Sequence, residues 1–84
     1  MKVLHESGET AHYRVGVARC ALGAAYGQRD RFEEANARLA EGYEVLLATL
    51  GPSSPHTLRA VGWIEALYGR WTPPADKRIN TQAR

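Results

Sequence analysis

The feature that most constrains the fold is a pattern that occurs twice, 42 residues apart. Tyr26 recurs as Tyr68, and at the same shift Leu22 aligns with Ile64. Self-similarity at a fixed spacing of this length is typical of proteins built from repeated helical hairpins. We therefore expect an all-α chain in which antiparallel helical hairpins stack side by side.

Hydrophobic periodicity divides the chain into three long helices and one shorter helix. Apolar residues recur at three- and four-residue intervals, as they do along one face of an α-helix. The predicted helices run from Ala11 to Gln28, from Phe32 to Leu50, from Pro55 to about Arg70, and from Ala75 to about Gln82. The last of these is short and polar.

Local signals predict where the second and third helices begin and end. Asp30, with Glu33 three residues later, has the spacing of a capping box at the start of the second helix. Gly51 suits the position just after that helix, where a left-handed backbone conformation is common. Ser54 is then a candidate cap for the third helix, and Pro55 fits its first position.

The first predicted helix has an apolar stripe, and Thr10 is the candidate cap at its start. The stripe predicts the side that faces the core. Its members are Val15, Ala18, Leu22, Ala25 and Tyr26.

Two glycines, Gly16 and Gly23, lie inside the first predicted helix. A glycine costs a helix interior about 1 kcal/mol relative to alanine, so each needs a structural reason. We expect a neighbouring helix to approach this one closely at the glycines.

The first two helices resemble the tetratricopeptide repeat (TPR) family. Their motifs are L-G-x-x-Y on the first helix and F-x-x-A-x-x-x-L on the second. The residues that carry the resemblance are Leu22, Gly23, Tyr26, Phe32, Ala35 and Leu39. The resemblance implies a short right-handed solenoid of stacked hairpins and a role in binding other proteins. An ordinary repeat of the family has about 34 residues.

The longer spacing in this chain is similar to the kinesin-light-chain type of TPR. Leu50-Gly51 and Pro55-x-Thr57 match the segment between units of that type, whereas Ser54 stands where histidine is usual. The end of the chain looks like the last unit of TPR arrays linked to some bacterial serine/threonine kinases and regulators. That likeness rests on Leu67, Tyr68, Trp71 and Pro74.

The domain organisation expected from the repeat is one small helical domain. Residues 1–10 are a weakly structured lead-in or the end of a preceding helix, residues 11–80 are the domain, and residues 81–84 are a frayed tail. Within the domain, residues 11–50 form a full repeat and residues 55–80 a partial terminal one. About three repeats are usually needed for independent stability. A neighbouring repeat, a second copy or a larger parent protein is therefore expected to help.

Composition excludes several classes of function. The net charge of +2 comes from 11 basic and 9 acidic residues, which is too balanced for a nucleic-acid-binding protein. The chain has no apolar run of about 18 residues, so we expect no membrane span. Its single cysteine, Cys20, forms no disulfide within the chain, which favours the reducing cytoplasm.

Catalytic and metal-binding chemistry lacks the residue spacing that it needs. Cys20 and His12 would lie about two turns apart on one helix, too far for a nucleophile and its base. His5, His12 and His56 show no H-x-x-x-H pair and no second cysteine to complete a zinc site. We expect no enzyme, no cofactor and no metal.

In TPR proteins the first helix of each unit lines a concave face, and the resemblance implies the same here. We expect a peptide or partner helix to bind in a groove between the first helices, through apolar contacts and, for an acidic ligand, through bonds from arginine to carboxylate. The candidate partner-binding residues are Val17, Cys20, Ala24, Gly27 and Gln28 from the first unit, and Arg59, Gly62, Ala66 and Arg70 from the second. The alternative is a self-associating capping fragment of a larger regulator.

Two arginines and two tryptophans form a basic and aromatic cluster on the third helix. Arg59 and Arg70, with Trp63 and Trp71, have the chemistry to hold a carboxylate-bearing or aromatic peptide. General burial tendencies favour the other interpretation, in which the tryptophans are core or capping residues and the arginines are in solvent. Both interpretations remain open at this stage.

Overall fold

The computed structural model describes the backbone of residues 8–81 and the side chains of residues 13–81. The elements are α1 (Gly8–Gln28), α2 (Phe32–Leu50), α3 (Pro55–Arg70) and a short 3-10 turn (Ala75–Lys77). No strand occurs in this part of the chain. The prediction of an all-α fold is confirmed.

Helix α1 begins at Gly8, earlier than the predicted start at Ala11. Thr10 therefore lies inside the helix, and the prediction that it caps the helix is wrong. The predicted boundary between a lead-in and the domain falls within α1. Residues 1–7 of that lead-in, and residues 82–84 of the predicted tail, lie outside the described residues.

The fourth predicted helix is replaced by a single 3-10 turn, Ala75–Lys77. Pro74 precedes the turn with an extended backbone, and Arg78 after it is also extended. The segment is short and has no apolar face that would reward a longer helix. The prediction of a helix from Ala75 to about Gln82 is therefore wrong.

The turn between α1 and α2 does not use the predicted capping box. Arg31 is the capping residue of α2 and makes no side-chain cap hydrogen bond. Asp30 has a positive φ of 63°, and its carboxylate accepts a hydrogen bond from Arg70 instead. The Asp30 carboxylate therefore forms an ion pair with Arg70, which is distant in sequence, and does not cap the start of α2.

The connection between α2 and α3 follows the predicted pattern. Gly51 has a φ of 86°, and its N–H donates to the carbonyl oxygens of Leu46 and Leu47. Ser54 precedes α3 in an extended conformation, and its Oγ accepts a hydrogen bond of 3.3 Å from the N–H of His56. Pro55 is the first residue of the helix. The predicted end of α2 and start of α3 are confirmed.

Helices α1 and α2 pack in very close contact through small residues. A Cβ added to Gly42 would lie 2.5 Å from Cys20 Sγ and 2.6 Å from the Gly16 carbonyl oxygen. A Cβ on Gly23 would lie 2.9 Å from the Ala35 carbonyl oxygen. These distances leave no room for a side chain, so the predicted close approach at the glycines of α1 is confirmed.

The apolar stripe predicted for α1 is not its buried face. Val15 and Leu22 are 42% and 44% exposed, and Ala18 and Ala25 are also exposed, while Tyr26 is half-buried. The face that meets α2 consists instead of Gly16, Cys20, Gly23 and Gly27. Two helices can approach this closely only where their facing residues are small, whereas the apolar stripe contains larger side chains. The prediction therefore identified the wrong side of α1.

Helix α3 lies parallel to α1 and completes the core. The rings of Tyr13 and His56 stack at one end, with centroids 5.1 Å apart. At the other end Arg70 donates a 2.9 Å hydrogen bond to the Gly27 carbonyl oxygen. The fully buried apolar residues come from all three helices and are Cys20, Ala35, Leu39, Tyr43, Leu46, Ala60, Ile64 and Leu67.

The segment after α3 folds back across α2 and the far side of α3. Asn36 Nδ2 donates to the Lys77 carbonyl oxygen at 2.8 Å, and Tyr68 Oη donates to Asn36 Oδ1. The N–H of Ile79 donates to Tyr68 Oη at 3.0 Å. These hydrogen bonds fix the segment to α2 and α3.

Candidate functional site

A narrow groove runs between the parallel helices α1 and α3, with α2 beneath it. It encloses about 130 Å³, and Leu39 of α2 lies at its base. The wall from α1 consists of Gly23, Ala24, Gly27 and Gln28. The wall from α3 consists of Trp63, Ala66, Leu67 and Arg70. Most of these side chains are small or apolar, which suits close contact with a ligand backbone or an apolar side chain.

Trp63 is the largest side chain in the groove. It is half-buried, so part of its indole surface faces solvent. Tryptophan is among the residues that contribute most to binding energy at interfaces. The sequence left open whether Trp63 belongs to the core or to the surface. The structure shows both, because Trp63 packs against the core and also lines the groove.

Trp71 has a different role from Trp63. Its ring stacks on Phe32, with centroids 5.9 Å apart, and lies 6.4 Å from the ring of Tyr68. These contacts hold the end of α3 against the start of α2. The predicted cluster of two tryptophans and two arginines is therefore divided between the groove and the packing of the helix ends.

Arg70 stands at the end of the groove and is held in place by its own chain. Its guanidinium donates to the Gly27 carbonyl oxygen and to the Asp30 carboxylate, and it lies 5.4 Å from the centre of the Phe32 ring. The Asp30 carboxylate offsets the positive charge of Arg70. Arg70 therefore forms a fixed polar wall and is poorly suited to act as a free cation for a partner.

Arg59 is the more available cation on this side of the molecule. It lies on the same face of α3 as Trp63, Ala66 and Arg70, because those positions follow it by four, seven and eleven residues. Its side chain is exposed and makes no ion pair or hydrogen bond with any other described residue. Arg59 is not among the residues that line the groove, and it lies one helical turn before Trp63 on α3.

The other predicted partner-binding residues are placed unevenly. Ala24, Gln28 and Ala66 line the groove. Val17 is half-buried on the side of α1 that faces α3, and Gly62 is exposed on α3 with no neighbour near it.

Cys20 does not contribute to an accessible surface. It is fully buried and packs against Gly42 of α2. Burial raises the pKa of the Cys20 thiol to about 11, so the thiol stays protonated at neutral pH and is a poor nucleophile. Its predicted place among the partner-binding residues is wrong, because the close packing of α1 on α2 turns it inward.

The described residues show no group of three metal-ligating side chains. His56 stacks on Tyr13, whereas the side chains of His5 and His12 lie outside the described part of the chain. No helix within residues 8–81 is both long enough and apolar enough to cross a membrane.

A larger hollow of about 620 Å³ lies beside the segment that follows α3. Its walls combine apolar residues such as Trp71 with opposite charges from Glu33, Asp76 and Lys77. The charged groups favour hydration over an apolar ligand. The groove between α1 and α3, whose walls are mostly small or apolar and which has the exposed Arg59 one turn beyond Trp63, is the better candidate.

No protein-family model matches this chain, and comparisons with curated proteins and with solved structures find no match. The case for a function rests on the groove itself.

Proposed function

We propose that this chain is a protein-interaction module that binds a peptide or partner helix in the groove between α1 and α3. The observation that carries the proposal is the lining of the groove, in which Trp63 and small residues face a ligand at close range. Grooves of this kind are typical of helix and peptide recognition. The proposed location is the cytoplasm.

We also propose a TPR-type arrangement of the helices. The order of elements supports this proposal, because α1 and α2 form a hairpin and α3 repeats the position of α1 beside it. The repeated pattern places Tyr68 on α3 where Tyr26 lies on α1. Under this interpretation α3 begins a second unit, and the segment after it replaces that unit's second helix.

The proposed ligand is acidic and carries one apolar side chain. The apolar side chain packs on Trp63, while the small residues of α1 allow the ligand backbone to approach. A carboxylate on the ligand pairs with Arg59. Arg70 already donates hydrogen bonds to the Asp30 carboxylate and the Gly27 carbonyl oxygen. It therefore forms the end of the groove and is not the main charge that binds the ligand.

A random peptide library selected on the full chain tests the proposal. Selected peptides are expected to be acidic, and their affinity, measured by isothermal titration calorimetry, is expected to fall at least about tenfold in Trp63→Ala and in Arg59→Ala. The matched control is Arg29→Ala, which removes an exposed arginine outside the groove. Peptides whose affinity is the same in Trp63→Ala as in the unmodified chain would refute the groove as the binding site.

A self-associating role is the second candidate, and a different surface favours it. The exposed apolar face of α1 points away from the groove, so it can be occupied while the groove is in use. The two surfaces can therefore be tested separately.

A further inference from the structure

The ion pair at the end of the groove is exposed to water on both of its sides. Arg70 lines the groove, and its guanidinium donates a hydrogen bond to the Asp30 carboxylate. The Arg70 side chain is 51% exposed and the Asp30 side chain 68% exposed. Water weakens the attraction within such a pair, so the pair contributes little to the stability of the fold. Its main consequence is for the groove, because it neutralises a cation that a ligand would otherwise meet.

Asp30 reaches Arg70 from an uncommon backbone conformation. Its φ of 63° lies in the left-handed region, which aspartate and asparagine adopt more readily than most other residues. A carboxylate just before a helix commonly caps it, yet α2 begins without a side-chain cap. Residues in sparsely populated backbone conformations concentrate at functional sites. The conformation and the ion pair together point to a role for Asp30 at the groove.

Arg70 has two further contacts that fix its position without the help of Asp30. Its guanidinium donates a 2.9 Å hydrogen bond to the Gly27 carbonyl oxygen and lies 5.4 Å from the centre of the Phe32 ring. Neither contact supplies a negative charge that would neutralise it. If the Asp30 carboxylate were removed, Arg70 would therefore keep its place in the wall and become a cation at the end of the groove.

The charge beside the groove is unequal at its two ends. Arg59, four residues before Trp63 on α3, is exposed and has no ion pair among the described residues. Arg70, seven residues after Trp63, is paired with Asp30. At 1.5 Å per residue these positions lie about 6 Å and about 10 Å from Trp63 along the helix. A ligand whose apolar side chain packs on Trp63 therefore has an unpaired cation on one side of that side chain only.

We propose that Asp30 determines the charge specificity of the groove by withholding Arg70 from the ligand. This inference rests on the proposed function of the groove. The groove accepts a ligand carboxylate on the Arg59 side of the apolar side chain. A second carboxylate on the Arg70 side gains nothing, because Asp30 already pairs with the guanidinium and repels another negative charge. The ligand is thus a peptide that is acidic on one side of its apolar side chain and uncharged on the other.

Peptides with one and with two carboxylates test the role of Asp30. The parent is a peptide selected on the full chain that has one acidic residue and that loses affinity in Trp63→Ala. Each derivative has one added glutamate on the other side of the apolar side chain, at each of seven successive positions in turn. The series covers the distance to Arg70 for an extended ligand, about three residues, and for a helical one, about seven. By isothermal titration calorimetry, every derivative is expected to bind the unmodified chain no more tightly than the parent does.

Asp30→Asn is expected to make the second carboxylate favourable. Asparagine also tolerates a positive φ, so the turn is retained, and its amide does not neutralise Arg70. The best derivative is expected to bind this variant about three to five times more tightly than the parent does, as one exposed charge pair allows. Glu34→Gln is the matched control, because it removes a carboxylate that pairs with Arg31 outside the groove. No derivative is expected to bind this control more tightly than the parent does.

A double variant shows whether the gain in affinity depends on Arg70. In Asp30→Asn with Arg70→Gln, the gain is expected to disappear while the parent binds as before. The role of Asp30 is overturned if a derivative binds the unmodified chain more tightly than the parent, if Asp30→Asn gives no gain, or if the gain persists without Arg70. In each of these cases the parent still depends on Trp63, so the proposed function of the groove stands. If no peptide depends on Trp63, the proposed function fails and the role of Asp30 fails with it.

Discussion

Gly42 lies where α2 comes closest to α1, and the packing there depends on a missing side chain. Alanine at this position would put its Cβ 2.5 Å from Cys20 Sγ and 2.6 Å from the Gly16 carbonyl oxygen. The backbone oxygen cannot move without displacing α1. We expect Gly42→Ala to lower the free energy of unfolding by about 2–3 kcal/mol in urea denaturation.

The control for this prediction is another helical glycine with open space around it. Gly62 lies inside α3 and has no atom within 4 Å of an added Cβ. Gly62→Ala is therefore expected to raise the free energy of unfolding by about 0.5–1 kcal/mol, because alanine favours the helix. Equal effects of the two substitutions would show that helix propensity, and not the close contact, determines the outcome.

Cys20 makes the stability of the fold depend on pH in the alkaline range. Burial raises the pKa of its thiol from 9.0 to about 11. The unfolded chain therefore loses this proton before the folded chain does, and the stability of the fold decreases as the pH rises from 9 to 11. The loss is on the order of 2 kcal/mol. Below pH 9 the contribution is constant.

Urea denaturation of the unmodified chain and of Cys20→Ala, measured across this pH range, isolates the effect of the thiol. The difference in unfolding free energy between the two chains is expected to change in favour of Cys20→Ala as the pH rises. All other ionisable groups are the same in both chains, so their effects cancel from the difference. A constant difference from pH 8 to 11 would contradict the assignment.

At the residue scale the sequence predicted contacts that depend on local geometry. Gly51 and Ser54 act as predicted because each one bonds to residues nearby in the chain. Asp30 does not, because its carboxylate pairs with Arg70, which follows it by 40 residues. A pattern of neighbouring residues carries no information about a partner at that distance.

Tyr68 ties the segment after α3 to both helices beneath it. Its hydroxyl donates to Asn36 Oδ1 and accepts from the N–H of Ile79. We expect Tyr68→Phe to lower the unfolding free energy by about 1–3 kcal/mol, and to speed amide hydrogen exchange at Ile79. Tyr26→Phe is the control, because no other described residue bonds to its hydroxyl. Unchanged exchange at Ile79 in Tyr68→Phe would show that other contacts hold the segment.

At the element scale the three long helices could be predicted, but not which face of α1 is buried. The order and extents of α2 and α3 follow from apolar periodicity and from clear end signals. In α1 the apolar stripe and the small-residue face compete, and the stripe contains the larger apolar side chains. Only the partner helix decides between them. The stripe remains exposed because α2 packs on the small-residue face of α1 instead.

At the scale of the whole molecule, the sequence predicted a groove between the first and third helices. Ala24, Gln28, Ala66 and Arg70 were named for it and do line it. The commitment of Arg70 to Asp30 and the place of Trp63 in the wall could not be predicted, because both depend on how closely α3 approaches the turn after α1. The segment after α3 was expected as a helix, yet it holds a single 3-10 turn and is fixed to α2 and α3 by hydrogen bonds.

That segment gives the last prediction, because it is what closes one end of the molecule. A chain that stops at Trp71 keeps the ring contacts with Phe32 but uncovers Tyr68 and the far side of α3. It would then have an open apolar surface at each end, and an unlike pair of surfaces allows a contact that does not close. Light scattering is expected to show that the mass of the truncated chain grows with concentration without reaching a limit, whereas the mass of the full chain reaches one. A truncated chain with the same mass limit as the full chain would show that the segment does not restrict assembly.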